Sequence, residues 1–220
     1  MKFDSDGYRF AMPVTALGIG AGTVAPLAGE HSAVLGALSI LLLIAAACIL
    51  LFFRDPERIP PPGESTVVSS ADGVVVDASR VPAEDFEGGE ALRIAVFMSV
   101  FNVHVNRVPL RGVVKRVIHR PGRKLSAFNE RAADENEHGD TELETVFGPV
   151  RIRQIAGLIA RRVVTRVREA QSVGRGERIG LIRFGSRVDV FLPATFNATV
   201  VRGDRVRAGE TVIARPADDI

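Results

Sequence analysis

Tryptophan is absent from the 220 residues, and tyrosine and cysteine occur once each. With Cys48 alone, no intramolecular disulfide can form, so a cytosolic catalytic region is permitted. Histidine is scarce too: four scattered residues and one cysteine make no zinc-type cluster, and no metal is expected. A strong charge of one sign is also missing. The net charge is only +2, although the pI is near 9.1. No basic run is interleaved with aromatics, so nucleic acid is not an expected partner. The basic residues are mostly arginine, which suits phosphate and carboxylate better than lysine does.

What the chain does have is apolar length. Hydrophobic residues make up 46%, ample for a core. Ala11 to Gly29 carries no charge but is interspersed with Gly and Pro. Ala33 to Phe53 is apolar throughout, about 21 residues, which matches a bilayer crossing. A cleaved signal peptide fits poorly, because there are two runs and the second is long. Lys2 and Arg9 flank the pair on one side and Arg54 and Arg58 on the other, while the connection lacks Lys and Arg. The positive-inside rule then puts both ends in the cytoplasm, with the membrane as the cell membrane. Glycines and Pro26 weaken the first run, which leaves open a span or an interfacial segment. Ile59-Pro60-Pro61-Pro62-Gly63 reads as a stiff spacer. The expected division is a membrane-associated helical hairpin over 1–58 and a second domain over 59–220.

That second domain reads as mainly β. Val67-Val68 and Val74-Val75-Val76 flank Asp72-Gly73 as in a hairpin. Further strands are expected over Ala91 to Ser99, Gly112 to His119, Thr141 to Phe147, Val150 to Ile155 and Val163 to Val167. Ala156 to Arg162 suits a short helix. Pro121 to His138 is polar and irregular, a mobile-loop candidate with His138 as a solvated residue. One echo stands out: Val173-Gly174-Arg175-Gly176-Glu177-Arg178-Ile179 against Val206-Arg207-Ala208-Gly209-Glu210-Thr211-Val212. A turn used twice before a strand suggests two similar corners of one β sandwich. These corners resemble the turns of biotinyl and lipoyl barrel-sandwich domains, without the exposed tip lysine. The expected fold is therefore a β-sandwich or barrel-sandwich-like domain with short helices, behind the N-terminal helical hairpin.

Gly185-Ser186 sits between two apolar runs, Ile179 to Ile182 and Val188 to Leu192. By itself the pair is an ordinary turn or bulge. Its companions change that. Phe53-Arg54-Asp55-Pro56, Ala71-Asp72-Gly73, Phe97-Met98-Ser99, Asn102-Val103-His104-Val105-Asn106-Arg107, Asn129-Glu130-Arg131, Ile155-Ala156-Gly157, Ala160-Arg161-Arg162, Gly176-Glu177-Arg178-Ile179-Gly180 and Ile182 to Asp189 occur in that order. Together they resemble the phosphatidylserine decarboxylase proenzyme family in its short, bacterial and archaeal form, over most of Phe53 to Ala214.

The resemblance implies a pyruvoyl-dependent lyase that cuts itself between Gly185 and Ser186. Ser186 would be the catalytic precursor of the pyruvoyl group, the one cofactor implied. The mature enzyme would pair a large chain, 1–185, with a small chain, 186–220. The pyruvoyl ketone would form a Schiff base with phosphatidylserine in the membrane, release CO₂ and yield phosphatidylethanolamine. Asp72 and His104 would assist self-cleavage, since a serine hydroxyl needs a base. Many relatives carry a second His where Arg107 stands, so the split of roles stays open. Arg161 and Arg162 either bind the lipid phosphate or form a solvated basic face. Asn129-Glu130-Arg131 either orders a loop or contacts the head group. Homo-oligomerisation is undetermined. Two other readings remain: a non-enzymatic membrane-anchored barrel-sandwich module, and a decarboxylase of another serine lipid such as archaetidylserine.

Overall fold

The computed structural model describes residues 2–123, 125, 135–157, 162–183 and 186–217. Two compact units divide the chain, Met1–Glu57 and Arg58–Ile220.

In the first unit, strands β1 (Lys2–Phe3) and β2 (Arg54–Asp55) pair antiparallel. Between them lie helices α1 (Ser5–Val24) and α2 (Ser32–Phe52). Asp4 caps α1, its Oδ1 accepting from the Asp6 N–H at 2.9 Å. Two of the glycines that lower helix propensity on paper, Gly18 and Gly22, sit at the helix–helix contact. A side chain on Gly22 would strike Ser39 Oγ, and one on Gly18 would press on Leu42 and Leu43. Ser39 Oγ donates to the Gly18 carbonyl at 2.7 Å. Small residues four apart let two apolar helices approach closely, and that packing offsets the propensity cost. Both helices are long and apolar enough to cross a membrane.

The second unit is mainly strand. In chain order its strands are β3 (Val67–Val68), β4 (Gly73–Pro82), β5 (Glu90–Met98), β6 (Val105–Arg107), β7 (Gly112–Arg120), β8 (His138–Thr145) and β9 (Gly148–Ala156). Then follow β10 (Val163–Thr165), β11 (Ser172–Val173), β12 (Arg178–Ile182), β13 (Ser186–Pro193), β14 (Phe196–Ala198), β15 (Arg205–Val206) and β16 (Val212–Pro216). An eight-stranded antiparallel sheet has the order β11-β7-β8-β9-β13-β5-β4-β15, with two three-stranded sheets, β10-β12-β6 and β14-β16-β3. Leu92, Ile94, Val96 and Met98 of β5, Val188, Val190 and Leu192 of β13, and Ile152 of β9 point into one buried core. Alternation along each strand produces that shared face.

The sheets are built from one pattern used twice. β3, β4, β5, β13, β14, β15 and β16 form one copy, and β6 to β12 form the other. Gly73-Val74-Val75 and Gly112-Val113-Val114 open β4 and β7, and each strand bulges after its second Val. Arg205 and Val206 pair with Val74 and Gly73, as Ser172 and Val173 pair with Val113 and Gly112. Gly209 N donates to Ser69 O, and Gly176 N to Val108 O, both at 2.8 Å. The copies meet where β13 pairs with β9, Val190 opposite Ile152 near the centre. The echoed Val-x-x-Gly-Glu turns are the matching corners. Each leads from an edge of the large sheet into the middle strand of a small one. Gly176 and Gly209 both have positive φ, 79° and 74°, which explains the glycine at that place in the echo.

Two expectations need correcting. Val67-Val68 and Val74-Val76 are not a hairpin: β3 pairs with β16, while β4 pairs with β5 and β15. Asp72-Gly73 is a crossing between sheets, where a side chain on Gly73 would run into the Phe97 carbonyl. His138 is not a solvated loop residue; it opens β8 and is 6% exposed. Residues 126–134, including Asn129-Glu130-Arg131, lie outside the described residues, as do 158–161 of the expected short helix. The flanks of the 126–134 stretch are bonded to each other: Asn136 Oδ1 accepts from Leu125 N at 2.8 Å.

Candidate active site

Ser186 is the first residue of β13, a middle strand of the large sheet. It pairs with Met98 of β5 on one side and Ala156 of β9 on the other. It is fully buried, and its Oγ has no hydrogen-bond partner among the described residues. A buried hydroxyl left unbonded costs free energy, so such an atom calls for an explanation. Gly185 lies outside the described residues, so only the Ser186 side of that peptide bond is described.

The segment Asn102 to Arg107 is explained residue by residue. Asn102 Oδ1 accepts from Ser99 N at 2.9 Å and from Ser99 Oγ at 2.8 Å, closing a turn. The Asn102 carbonyl accepts from His104 Nδ1 at 2.9 Å. A carbonyl can only accept, so Nδ1 carries the proton and the neutral ring has its lone pair on Nε2. His104 is buried, and its carbonyl accepts from Ile182 N at 3.4 Å, four residues before Ser186. Asn106 donates to Met98 Sδ and accepts from Gln154 Nε2 at 2.8 Å; Gln154 in turn accepts from Thr165 Oγ1. Asn106 is thus turned to Met98, the pairing neighbour of Ser186. Arg107 is buried as well and donates to the Gly176 carbonyl at 2.8 Å.

Asp72 reaches the same end of the sheet by another route. Val74 pairs with Phe97, and Ser186 with Met98, so Asp72 precedes β4 where Ser186 begins β13. Its Oδ1 accepts from Ala208 N at 2.7 Å, inside the second echoed turn, and its Oδ2 from Arg58 Nη2 at 2.9 Å. Arg58 also binds Glu210 at 2.7 Å. Neither Asp72 nor His104 is hydrogen-bonded to Ser186 Oγ. Asp72 does line a polar cavity of about 380 Å³ with Gly73, Val74, Ser99, Asn102, Arg205, Val206 and Arg207. A larger cavity of about 540 Å³, lined by Leu110, Arg111, Gly112, Val113, Val146 and Phe147 among others, is its counterpart in the other copy. It lies at the far end of the large sheet from Ser186 and lacks Asp72, His104 and Ser186.

The opposite face of β13 carries charge. Arg187 grips Asp189 through two hydrogen bonds, 2.6 and 2.7 Å, both residues buried. Burial pushes the Asp189 carboxyl above the usual carboxylate range, against the pull of Arg187. Arg153 holds Asp140 in the same bidentate way. His138 pairs with Ile155, which pairs with Arg187, so the His138 side chain lies on this charged face and not on the Ser186 face.

Arg162 is exposed, and its carbonyl accepts from Arg183 N at 3.2 Å; Arg161 lies outside the described residues. Arg58, Asn102, Arg205 and Arg207 were not singled out as site residues from the sequence. Arg58 reads there as a membrane flank. The echoed turn that delivers Ala208 N to Asp72 was the legible signal for that corner.

Two comparisons bear on this arrangement. The sequence profile described as phosphatidylserine decarboxylase matches residues 45–214. A phosphatidylserine decarboxylase proenzyme of Pelobacter propionicus is 48% identical over 185 residues, covering 84% of each chain. The proenzyme of the same name from Nitratidesulfovibrio vulgaris is 40% identical over 212 residues, 95% of this chain and 97% of that one. One from Desulfotalea psychrophila is 45% identical over 179 residues, 81% of this chain and 84% of the relative. The chain belongs to the phosphatidylserine decarboxylase family.

Proposed function

We propose that the chain is a precursor that breaks its own backbone between Gly185 and Ser186, and that the resulting two-chain enzyme converts phosphatidylserine to phosphatidylethanolamine and CO₂. The observation that carries the reading is Ser186 Oγ, buried and without a hydrogen-bond partner among the described residues, at the start of a middle strand. A solvated turn serine would have water or a cap to bond.

Ser186 Oγ attacks the Gly185 carbonyl carbon, and the Ser186 nitrogen leaves as an amine, giving an ester. Elimination releases the Gly185 carboxylate and leaves dehydroalanine at 186. Tautomerisation and addition of water then expel ammonia. The pyruvoyl group so formed supplies a ketone conjugated to a carbonyl, an electron sink for the pair left when a carboxylate departs. His104 Nε2 carries the lone pair suited to take the Ser186 proton. Asp72 has both oxygens engaged by Arg58 and Ala208, and so holds the cavity wall beside it.

The ladder architecture favours survival of the break. The small chain would own β13 to β16. β13 is laddered to β5 and β9, β15 to β4, and β16 to β3, all of which belong to the large chain. The apolar helices would anchor the enzyme in the cell membrane, with the strand unit on the cytoplasmic side where basic flanks place it.

Intact-mass measurement of the purified protein tests the first step. Two pieces split before residue 186 are expected, and one unbroken chain with Ser186→Ala, which should also release no CO₂. Normal breakage of Ser186→Ala would sink the mechanism.

A further inference from the structure

The two-copy architecture offers an internal comparison. The same backbone frame occurs at both ends of the large sheet, and only one end carries Asp72, His104 and Ser186. Where this end has Arg205 and Arg207 on the edge strand and its turn, the other has Ser172 and Gly174. The frame folds without the arginines, so they are not there to make the turn. Both are exposed and both line the cavity beside Asp72.

Next to them is an apolar tip. Ser99 and Asn102, which line that cavity, close a turn through Asn102 N to the Ser99 carbonyl at 3.0 Å. The two residues at its apex are Val100 and Phe101, and Phe101 is 84% exposed. The turn is held firmly by the two bonds to Asn102 Oδ1, so its aromatic tip is presented on a fixed base. The acidic groups nearby are held mainly by others: Asp72 and Glu210 by Arg58 at 2.9 and 2.7 Å, and Asp204 Oδ2 by the Val201 N–H, while Arg207 reaches Glu210 only at 3.9 Å and Arg205 has no ion pair among the described residues. The cavity mouth is thus an exposed aromatic tip beside a cationic edge. An amphipathic pair of this kind is complementary to an anionic bilayer surface, whose head groups attract arginine and whose acyl boundary accepts an aromatic ring.

We infer that this rim, Val100 and Phe101 with Arg205 and Arg207, docks on an anionic lipid surface and sets the cavity mouth against the head groups. The inference rests on the reading that the substrate is a membrane lipid. It makes the strand unit, and not only the apolar helices, a lipid-contacting part of the molecule.

The full-length protein tests it in nanodiscs. With Cys48→Ser as background, Phe101→Cys and Val146→Cys are each labelled with an environment-sensitive fluorophore. Val146 is 90% exposed at the tip of the corresponding turn in the other copy, and serves as the matched control. Acyl-chain nitroxide lipids should quench the label at 101 several-fold more than at 146, and more strongly in phosphatidylglycerol-containing than in pure phosphatidylcholine discs. Arg205→Ala with Arg207→Ala should weaken surface engagement about thirtyfold and remove the dependence on lipid charge. Equal quenching at the two positions overturns the docking face. Quenching at 101 that ignores lipid charge overturns the role of the arginines. Neither readout needs backbone cleavage. A protein that decarboxylates dispersed short-chain phosphatidylserine but is quenched equally at both positions would refute the docking face and leave the proposed function standing.

Discussion

At the scale of the residue, Ser186, Asp72 and His104 differ in what already holds them. Ser186 Oγ has no hydrogen-bond partner among the described residues, Asp72 is bonded through both oxygens, and His104 is fixed through Nδ1. Replacing the imidazole should therefore slow the first proton transfer most directly. His104→Ala is expected to cut the rate of self-cleavage by about 10²–10⁴-fold, the usual worth of a positioned base, read as precursor remaining on a denaturing gel over time. Asp72→Asn keeps the shape but leaves Arg58 with Glu210 as its one carboxylate partner among the described residues. It should slow cleavage and also lower the melting temperature, whereas His104→Ala should leave melting less affected. These three residues were nominated by ordered motifs. Arg58 was not, because its partners lie 14 and 152 positions away and its sequence neighbours are membrane flank. His138 was misread because a histidine beside a polar stretch gives no local sign that it starts a buried strand.

At the scale of the element, the pair on β13 and the twin turns carry most of the specification. Arg187→Met would leave the Asp189 carboxylate buried and unpaired, at a cost of about 3–5 kcal/mol in unfolding free energy near neutral pH, measurable by denaturant titration. Replacing both by apolar residues of similar volume should recover much of that loss. The sign of the pH effect follows from burial. Asp189 is raised in the folded state, so its contribution is greatest below the unfolded carboxylate value and is lost as pH rises through the folded one. Gly209→Ala places a methyl group 2.9 Å from Arg107 Cδ at φ 74°. It should cost about 1–3 kcal/mol and disturb the Ala208 N–H that holds Asp72. The echo between the two turns was visible in sequence, because positive φ fixes a glycine. The strand partners were not visible. Pairing Val74 with Phe97 and Arg205 rather than with Val68 is a long-range choice made by core packing, which no Asp-Gly signal encodes.

At the scale of the whole molecule, the second copy, β6 to β12, lies entirely before residue 186, while the first is shared between both sides of the proposed break. The small chain would therefore be one strand-set of a copy it cannot complete alone. Native size-exclusion chromatography should keep 1–185 and 186–220 together, and guanidinium should separate them without reduction, since one cysteine can form no bridge within the chain. Peak separation under native conditions would count against the shared-copy architecture. The position of Ser186 on the seam between the copies has a consequence for the life history of the polypeptide. Its pairing partners come from β5 and β9, which are made before its own strand, and that strand arrives near the end. The pocket that strands its hydroxyl cannot exist on a nascent or misassembled chain. Under the proposed chemistry, cutting would be a checkpoint that only a finished fold can pass, and the catalytic group would double as a certificate of assembly.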